Sequence, residues 1–278
     1  MTWTPPPIDG RLTTPEQAAA KRLLDRAVKL APRLEKASGL FNAGRFRCSN
    51  GMDVQYRLFA PKTEPGTKYP LVIFFHGSGS TGEDNQKQVV RNNIWGTGLW
   101  VLPENQAKHP CYVLAPQLSD KLVSKSDDWK DVAAVMHKEL IDSLLKDLPI
   151  DPDRVYVTGQ SMGGGCTFRM ITRYPGLFAA AMPLCNRERT ADASVIARSG
   201  IAVWAFVGDR DSPELLVWMR EMIESIAKAG GSAKLTVYPG VGHLCQHAAY
   251  GEPDLGDWLF SQKRSPGPTH PGGSEGCP

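Results

Sequence analysis

The sequence predicts an α/β protein with a mostly parallel central sheet and helices on both faces. Two observations carry this expectation. Short β-rich runs alternate with stretches of helical periodicity from about residue 52 onward. The run Tyr69 to Phe75 is an almost unbroken apolar stretch, as a strand buried on both faces requires.

Taken in order, Thr14, Pro15 and Gln17 form a capping box with proline at the first helical position, and Ala20, Leu23, Leu24, Ala27, Leu30 and Ala31 continue at helical spacing up to Pro32. Met52 to Ala60, Tyr69 to Phe75 and Cys111 to Ala115 read as strands. Ala133, Met136, Leu140, Leu144 and Leu148 share one face of a helix from about Asp131. Arg154 to Thr158 is a strand, and a helical pattern follows Ser161. Ala179 to Leu184, Ile201 to Val207 and Ala233 to Tyr238 complete the strands, the last two flanking a helix from about Pro213 to Ala229. No linker divides this alternation, so residues 14–263 are expected to form one domain. The Pro-, Gly-, Ser- and Thr-rich ends, 1–13 and 264–278, are expected to be flexible tails.

Composition narrows the functions. With 278 residues, 41% hydrophobic and 22% charged, the chain is not disordered. Its 32 Lys and Arg against 29 Asp and Glu give +3 without a dense basic block, so the electrostatic footprint of a nucleic-acid binder is missing. The longest apolar stretches, Pro70 to Phe75 and Leu177 to Cys185, fall short of the roughly 18 residues of a membrane span, so a soluble protein is expected. The first twenty residues carry three consecutive prolines and no apolar h-region, so no secretory signal is expected in the chain as it stands, and the compartment stays open. The six cysteines lack CxxC spacing, which argues against a thiolate zinc site or a thioredoxin-type motif.

In such sheets ligands bind beyond the carboxyl ends of the strands, and four of those segments carry chemistry. Gly159-Gln160-Ser161-Met162-Gly163 is G-x-S-x-G on a strand-to-helix turn, which exposes a serine hydroxyl at a helix start. An alkyl serine needs a base, and the base needs an orienting group. Gly208-Asp209-Arg210-Asp211 and Gly240-Val241-Gly242-His243 follow later strands in the order serine, acid, histidine. His243 is the expected base and Asp211 its partner, chosen over Asp209 for its longer reach into the loop. His247 is expected near the pocket rim, and His109 and His137 on the surface. The fourth segment, His76-Gly77-Ser78-Gly79-Ser80, offers backbone N–H groups to a developing oxyanion. Met162 and Ser78 are the expected donors, with Gly77 the near alternative to Ser78. A phosphate-binding reading fails because neither the G-x-x-x-x-G-K-[ST] pattern nor a dinucleotide fingerprint is present.

With these segments in place, the sequence resembles the α/β-hydrolase superfamily. More narrowly it resembles the compact esterase branch that includes polyhydroxybutyrate-depolymerase-like proteins, feruloyl and acetylxylan esterases, and predicted-peptidase relatives. The residues carrying the narrower resemblance are Tyr69 to Gly77, Gly82 to Asn85, Ala115 to Gln117, Asp153 to Gly164 and Trp258 to Lys263. The resemblance implies an α/β-hydrolase fold without a large cap domain. It also implies a serine hydrolase acting on carboxylic esters through an acyl-enzyme, with no metal or organic cofactor. Ser161 attacks, His243 moves the proton, Asp211 orients the imidazole and two N–H groups hold the oxyanion.

Loops from Ser78 to Pro103, Leu118 to Lys130 and Leu244 to Asp257 are expected to wall the pocket, with Gln160, Trp129 and His76 as lining residues. Trp95 and Trp100 are as readily explained by packing. Cys185 and Cys245 are expected near the catalytic face, where a disulfide would brace the His243 loop. The expected substrate is a short acyl or aryl ester, either a small molecule or an ester decoration on polysaccharide. A peptidase of the same fold and a non-catalytic binding protein are the alternatives, and the oligomeric state stays open.

Overall fold

A computed structural model describes residues 14–125, 128–186, 188 and 191–264. The strands are β1 (Asn42–Arg47), β2 (Asp53–Phe59), β3 (Tyr69–Phe75), β4 (Tyr112–Gln117), β5 (Ile150–Gln160), β6 (Ala180–Leu184), β7 (Ala202–Gly208) and β8 (Ala233–Tyr238). They form one sheet in the order β1-β2-β4-β3-β5-β6-β7-β8. β1 and β2 run antiparallel at one edge and the rest of the sheet is parallel. The mostly parallel sheet expected from the sequence is present.

All seven residues of β3 are buried, which places this strand at the centre of the core. Pro70 removes one ladder donor there, and the pairing of β3 with β5 shifts register between Tyr69 and Leu71, where the missing N–H is accommodated. Phe74 and Phe75 alternate across the sheet. Phe74 meets Tyr250 on one face, and Phe75 meets His137 on the other.

The helices are α1 (Pro15–Ser38), α2 (Ile94–Val101), α3 (Pro103–Lys108), α4 (Asp120–Lys125), α5 (Trp129–Asp147), α6 (Met162–Arg173), α7 (Ala193–Ser199), α8 (Pro213–Lys228), α9 (Gln246–Ala249) and α10 (Leu255–Ser261). α5, α6, α7 and α8 cover one face, where Phe168 of α6 meets Trp218 of α8 edge-on. α1, α2, α9 and α10 cover the other, where Trp258 of α10 packs on Trp204 of β7.

α1 begins with the expected capping box, in which the Gln17 N–H donates to Thr14 Oγ1 and the Thr14 N–H to Gln17 Oε1, each at 3.2 Å. It does not stop at Pro32 but continues to Ser38. A proline inside a helix costs about 3 kcal/mol. Burial of Leu34 and Ala37 beyond it offsets that cost, because a buried leucine alone stabilises by about 1.5–3 kcal/mol.

Two expectations are corrected here. The segment from Ser78 to Pro103 is not simply a pocket-wall loop, since it contains α2, which packs under α1 and buries Trp95 and Trp100. Leu244 to Asp257 likewise holds α9 and the start of α10. The expected tails lie outside the described residues except for Arg264, whose backbone N–H donates to the Asp153 carbonyl at 2.8 Å.

Candidate active site

β5 ends at Gln160 and α6 begins at Met162, so the chain reverses from strand to helix at Ser161 alone. Ser161 has φ 58 and ψ −120, a conformation that costs a side-chain-bearing residue roughly 1–3 kcal/mol. Bonds on either side hold it there. Its N–H donates to the Leu184 carbonyl at 2.9 Å, and its carbonyl accepts from the Gly165 N–H at 3.1 Å. The turn also needs helix and strand to approach more closely than side chains allow. A Cβ on Gly163 would lie 1.9 Å from the Phe75 carbonyl oxygen, and one on Gly159 would lie 2.4 Å from that of Gly163.

The loops after β7 and β8 bring the other two groups to this serine. His243 Nε2 is 2.9 Å from Ser161 Oγ, and His243 Nδ1 is 2.7 Å from Asp211 Oδ2. Asp209, the alternative acid, is occupied elsewhere, accepting from the Gly240 N–H at 2.7 Å and so bracing the turn that leads to the histidine. Burial pushes the Asp211 carboxyl up. Hydrogen bonds from His243, from the Ser212 N–H and from the Cys185 thiol outweigh that push and hold its pKa below the usual carboxylate value. The carboxylate is therefore ionised at neutral pH, as an orienting group must be. Cys185, Asp211 and His243 each offer one ligand atom, all within 4.8 Å of one another, but these atoms already hydrogen-bond among themselves.

Gly77 and Ser78 lie against this constellation. A Cβ built on Gly77 would sit 3.8 Å from Ser161 Cβ and 3.0 Å from Gln160 Oε1. Ser78 opens a short 3-10 turn, and Met162 opens α6, so both N–H groups are first-turn donors with no acceptor inside their own helix.

Gln160 and His76, expected as pocket lining, have other work. Gln160 is nearly buried and its Nε2 donates to the His243 carbonyl at 3.1 Å, tying the His243 loop to the end of β5. His76 is buried, with Nδ1 2.8 Å from the Gly77 carbonyl and Nε2 accepting from the Leu118 N–H at 2.9 Å. It fixes the turn at Gly77 to the start of the loop after β4 from within the core. Trp129 opens α5 half-buried against the core, with the Lys130 ammonium 5.9 Å from its ring centroid.

His137 and His247 are not on the surface or rim. Both are buried, against Phe75 and Trp95 respectively, whereas His109 stacks on Phe260 and stays partly exposed. Burial pushes the pKa of His76 down to about 4 and those of His137 and His247 down to about 3. Unfolded histidine titrates near 6.5, so below that pH the unfolded chain binds protons that the native protein refuses. Stability is expected to be full above about pH 6.5 and to fall as pH drops, until the native groups themselves protonate. Each histidine contributes a slope of up to about 1.4 kcal/mol per pH unit inside its window. Guanidinium unfolding at a series of pH values checks this, and a flat stability between about pH 7 and 5 would contradict it.

A cavity of about 380 Å³ lies apart from Ser161, Asp211 and His243, over β1 and β2. Its charged walls pair with one another, Arg45 with Asp53 and Lys121 with Glu83.

A mostly parallel sheet with a serine held at a strand-to-helix turn, and an acid and a histidine delivered by later strands, defines the α/β-hydrolase class. The chain belongs to the Esterase family, whose profile matches residues 49–247, and it is a carboxylesterase, a hydrolase of carboxylic esters. It is 24% identical over 196 residues to a SOBER1-like carboxylesterase of Arabidopsis thaliana, covering 62% of this chain and 72% of that one. It is 35% identical over 126 residues to poly(3-hydroxyalkanoate) depolymerase C of Paucimonas lemoignei, covering 42% of this chain and 28% of that one. Among solved structures, a thermostable esterase superposes with a TM-score of 0.74 at 33% identity, over 82% of this chain and 64% of that one. The chain thus spans less than two thirds of the length of these last two proteins. No helix among the described residues is long and apolar enough to cross a membrane.

Proposed function

We propose that the protein hydrolyses short acyl or aryl esters through a covalent acyl-enzyme on Ser161. The observation that carries this reading is the unbroken hydrogen-bond chain from Asp211 through His243 to Ser161, 2.7 and 2.9 Å long. Ser161 Oγ attacks the ester carbonyl as His243 Nε2 takes its proton. Asp211 fixes the imidazole tautomer and stabilises the imidazolium that forms. The N–H groups of Met162 and Ser78, with Gly77 as the alternative to Ser78, receive the developing oxyanion, assisted by the positive end of α6. His243 then returns the proton to the leaving alcohol, and water repeats the sequence to release the acid.

What covers the site supports the short acyl or aryl group. The chain passes from β6, ending at Leu184, to α7, starting at Ala193, with no room for a cap domain between them. His243 keeps 44% of its side chain exposed. At a site this exposed a long acyl chain gains less from burial, whose worth is about 0.8 kcal/mol per buried CH₂. Acetyl or feruloyl esters on polysaccharide fit the same description, since an open rim admits a bulky alcohol side. With p-nitrophenyl acetate, butyrate, octanoate and dodecanoate, kcat/KM is expected to peak at acetate or butyrate and to fall at least about tenfold by dodecanoate. A maximum at octanoate or longer would overturn the short-acyl reading, and faster turnover of the matching anilides would favour a peptidase.

A further inference from the structure

We propose that Cys185 and Cys245 form a disulfide site directly behind the acid of the triad, an inference that goes beyond the esterase reading. Cys185 is the first residue after β6, and Cys245 lies two positions after His243. Their sulfurs are 2.9 Å apart and both residues are buried. A closed bridge has its sulfurs about 2.05 Å apart, so a movement of less than about 1 Å separates this pair from bonding distance.

Both backbones are fixed in the orientation that makes the contact. Cys185 is held at φ 48, a left-handed conformation uncommon for a side-chain-bearing residue, by its N–H donating to the Phe206 carbonyl at 3.0 Å. Cys245 precedes α9, and its carbonyl accepts from the N–H groups of Ala248 and Ala249 at 3.0 and 2.9 Å. Other buried thiols are engaged differently, Cys48 with the Met136 carbonyl and Cys111 with the Gln106 carboxamide.

The chemistry is exchange with a low-molecular-weight disulfide such as oxidised glutathione. One cysteine thiolate attacks the small disulfide, forming a mixed disulfide and releasing one glutathione thiolate. The second cysteine thiolate attacks the mixed disulfide, closing the Cys185–Cys245 bond and releasing the second. The two cysteine protons end on the two glutathione thiols, and the reagent is reduced as the pair is oxidised. Closure joins positions 60 residues apart and ties the end of β6 to the loop that carries His243. It also consumes the thiol proton that Cys185 donates to Asp211, leaving that carboxylate with His243 and the Ser212 N–H. The bond that braces the histidine and the hydrogen bond that supports the acid therefore compete for one sulfur.

The test is thiol counting on the full chain. Because the pair is buried, exchange with excess oxidised glutathione is run to constancy just below the unfolding transition, where the loop opens, against a dithiothreitol-treated sample. Both are then unfolded and alkylated. The expected result is two fewer alkylated thiols in the oxidised sample, a tryptic species joining the Cys185 and Cys245 peptides, and a Tm about 5 °C or more above that of the reduced protein, reversed by dithiothreitol. Cys185→Ala and Cys245→Ala should each abolish both the linked species and the Tm shift. All six thiols alkylated after oxidation, stable glutathione adducts in place of the bridge, or a linkage between other cysteines would overturn the proposal. Ester hydrolysis plays no part in this readout, so failure of the bridge and failure of the triad are seen separately.

Discussion

Ser161→Ala is expected to lower kcat for a p-nitrophenyl ester by about 10⁵-fold or more, leaving the fold and the Tm close to those of the unaltered protein. The two halves of this expectation have separate causes. Activity collapses because the alanine methyl has no lone pair to attack with and no proton for His243 to take. Triad members act as a unit, so losing the nucleophile costs about as much as losing all three, and what remains is the roughly 10³–10⁴-fold effect of the oxyanion donors and binding. The fold survives because the turn does not depend on the hydroxyl. Ser161 is held by its backbone bonds to Leu184 and Gly165, and alanine carries the same Cβ through the same positive φ, so the local strain is unchanged. Steady-state kinetics with circular dichroism and thermal unfolding on both proteins checks it. A variant that keeps more than about one hundredth of the activity would remove Ser161 from the role proposed for it.

This part of the molecule was readable in the sequence because position along a strand fixes position in space. Once the runs ending at Thr158, Val207 and Tyr238 are read as parallel strands of one sheet, Ser161, Asp211 and His243 must lie at the same end of it, whatever the helices do. Side-chain burial away from those strand ends was not readable. Nothing near His137 or His247 in the sequence shows that Phe75 and Trp95 will cover them, and the acceptor role of His76 is set by Leu118, 42 residues away. α2 was missed for a different reason. Ile94-Trp95-Gly96-Thr97-Gly98-Leu99-Trp100-Val101 is apolar all round and contains two glycines, so it has neither the periodicity of an amphipathic helix nor good helix propensity. It is helical because it is enclosed, and Gly98 lets it approach the backbone of α1 at Leu34. β1, Asn42-Ala43-Gly44-Arg45-Phe46-Arg47, escaped notice because a charged, largely exposed edge strand lacks the apolar alternation that marks inner strands. The pairing of Cys185 with Cys245 was visible only as two cysteines in catalytic-face loops, and the 2.9 Å contact needs both loops in place.

The glycines of the turn at Ser161 carry an effect of similar size. Gly163→Ala is expected to destabilise the protein by about 3 kcal/mol or more and to cut kcat/KM at least about 100-fold in whatever fraction folds. The added Cβ would sit 1.9 Å from the Phe75 carbonyl oxygen, 2.5 Å from its carbon and 2.9 Å from the His76 carbonyl oxygen. All three atoms are main chain, two of them from the central strand β3, so no side chain can rotate aside to relieve the clash. Relief requires α6 to move outward by about an ångström, and in close-packed interiors such overpacking alone costs about 1–3 kcal/mol. The same displacement separates the proposed oxyanion donors, because Met162 moves with α6 whereas Gly77 and Ser78 stay with the end of β3. Geometry at a reacting centre tolerates an error of this size poorly, and a shift of about 1 Å is enough for a loss of about 100-fold. Gly176→Ala supplies the contrast. An added Cβ there meets nothing within 4 Å, so stability should change by less than about 0.5 kcal/mol and activity should be unchanged. Thermal unfolding and kcat/KM on the pair decide the matter. If Gly163→Ala matched the unaltered protein in both, close contact between α6 and β3 would not be what holds Ser161 in place.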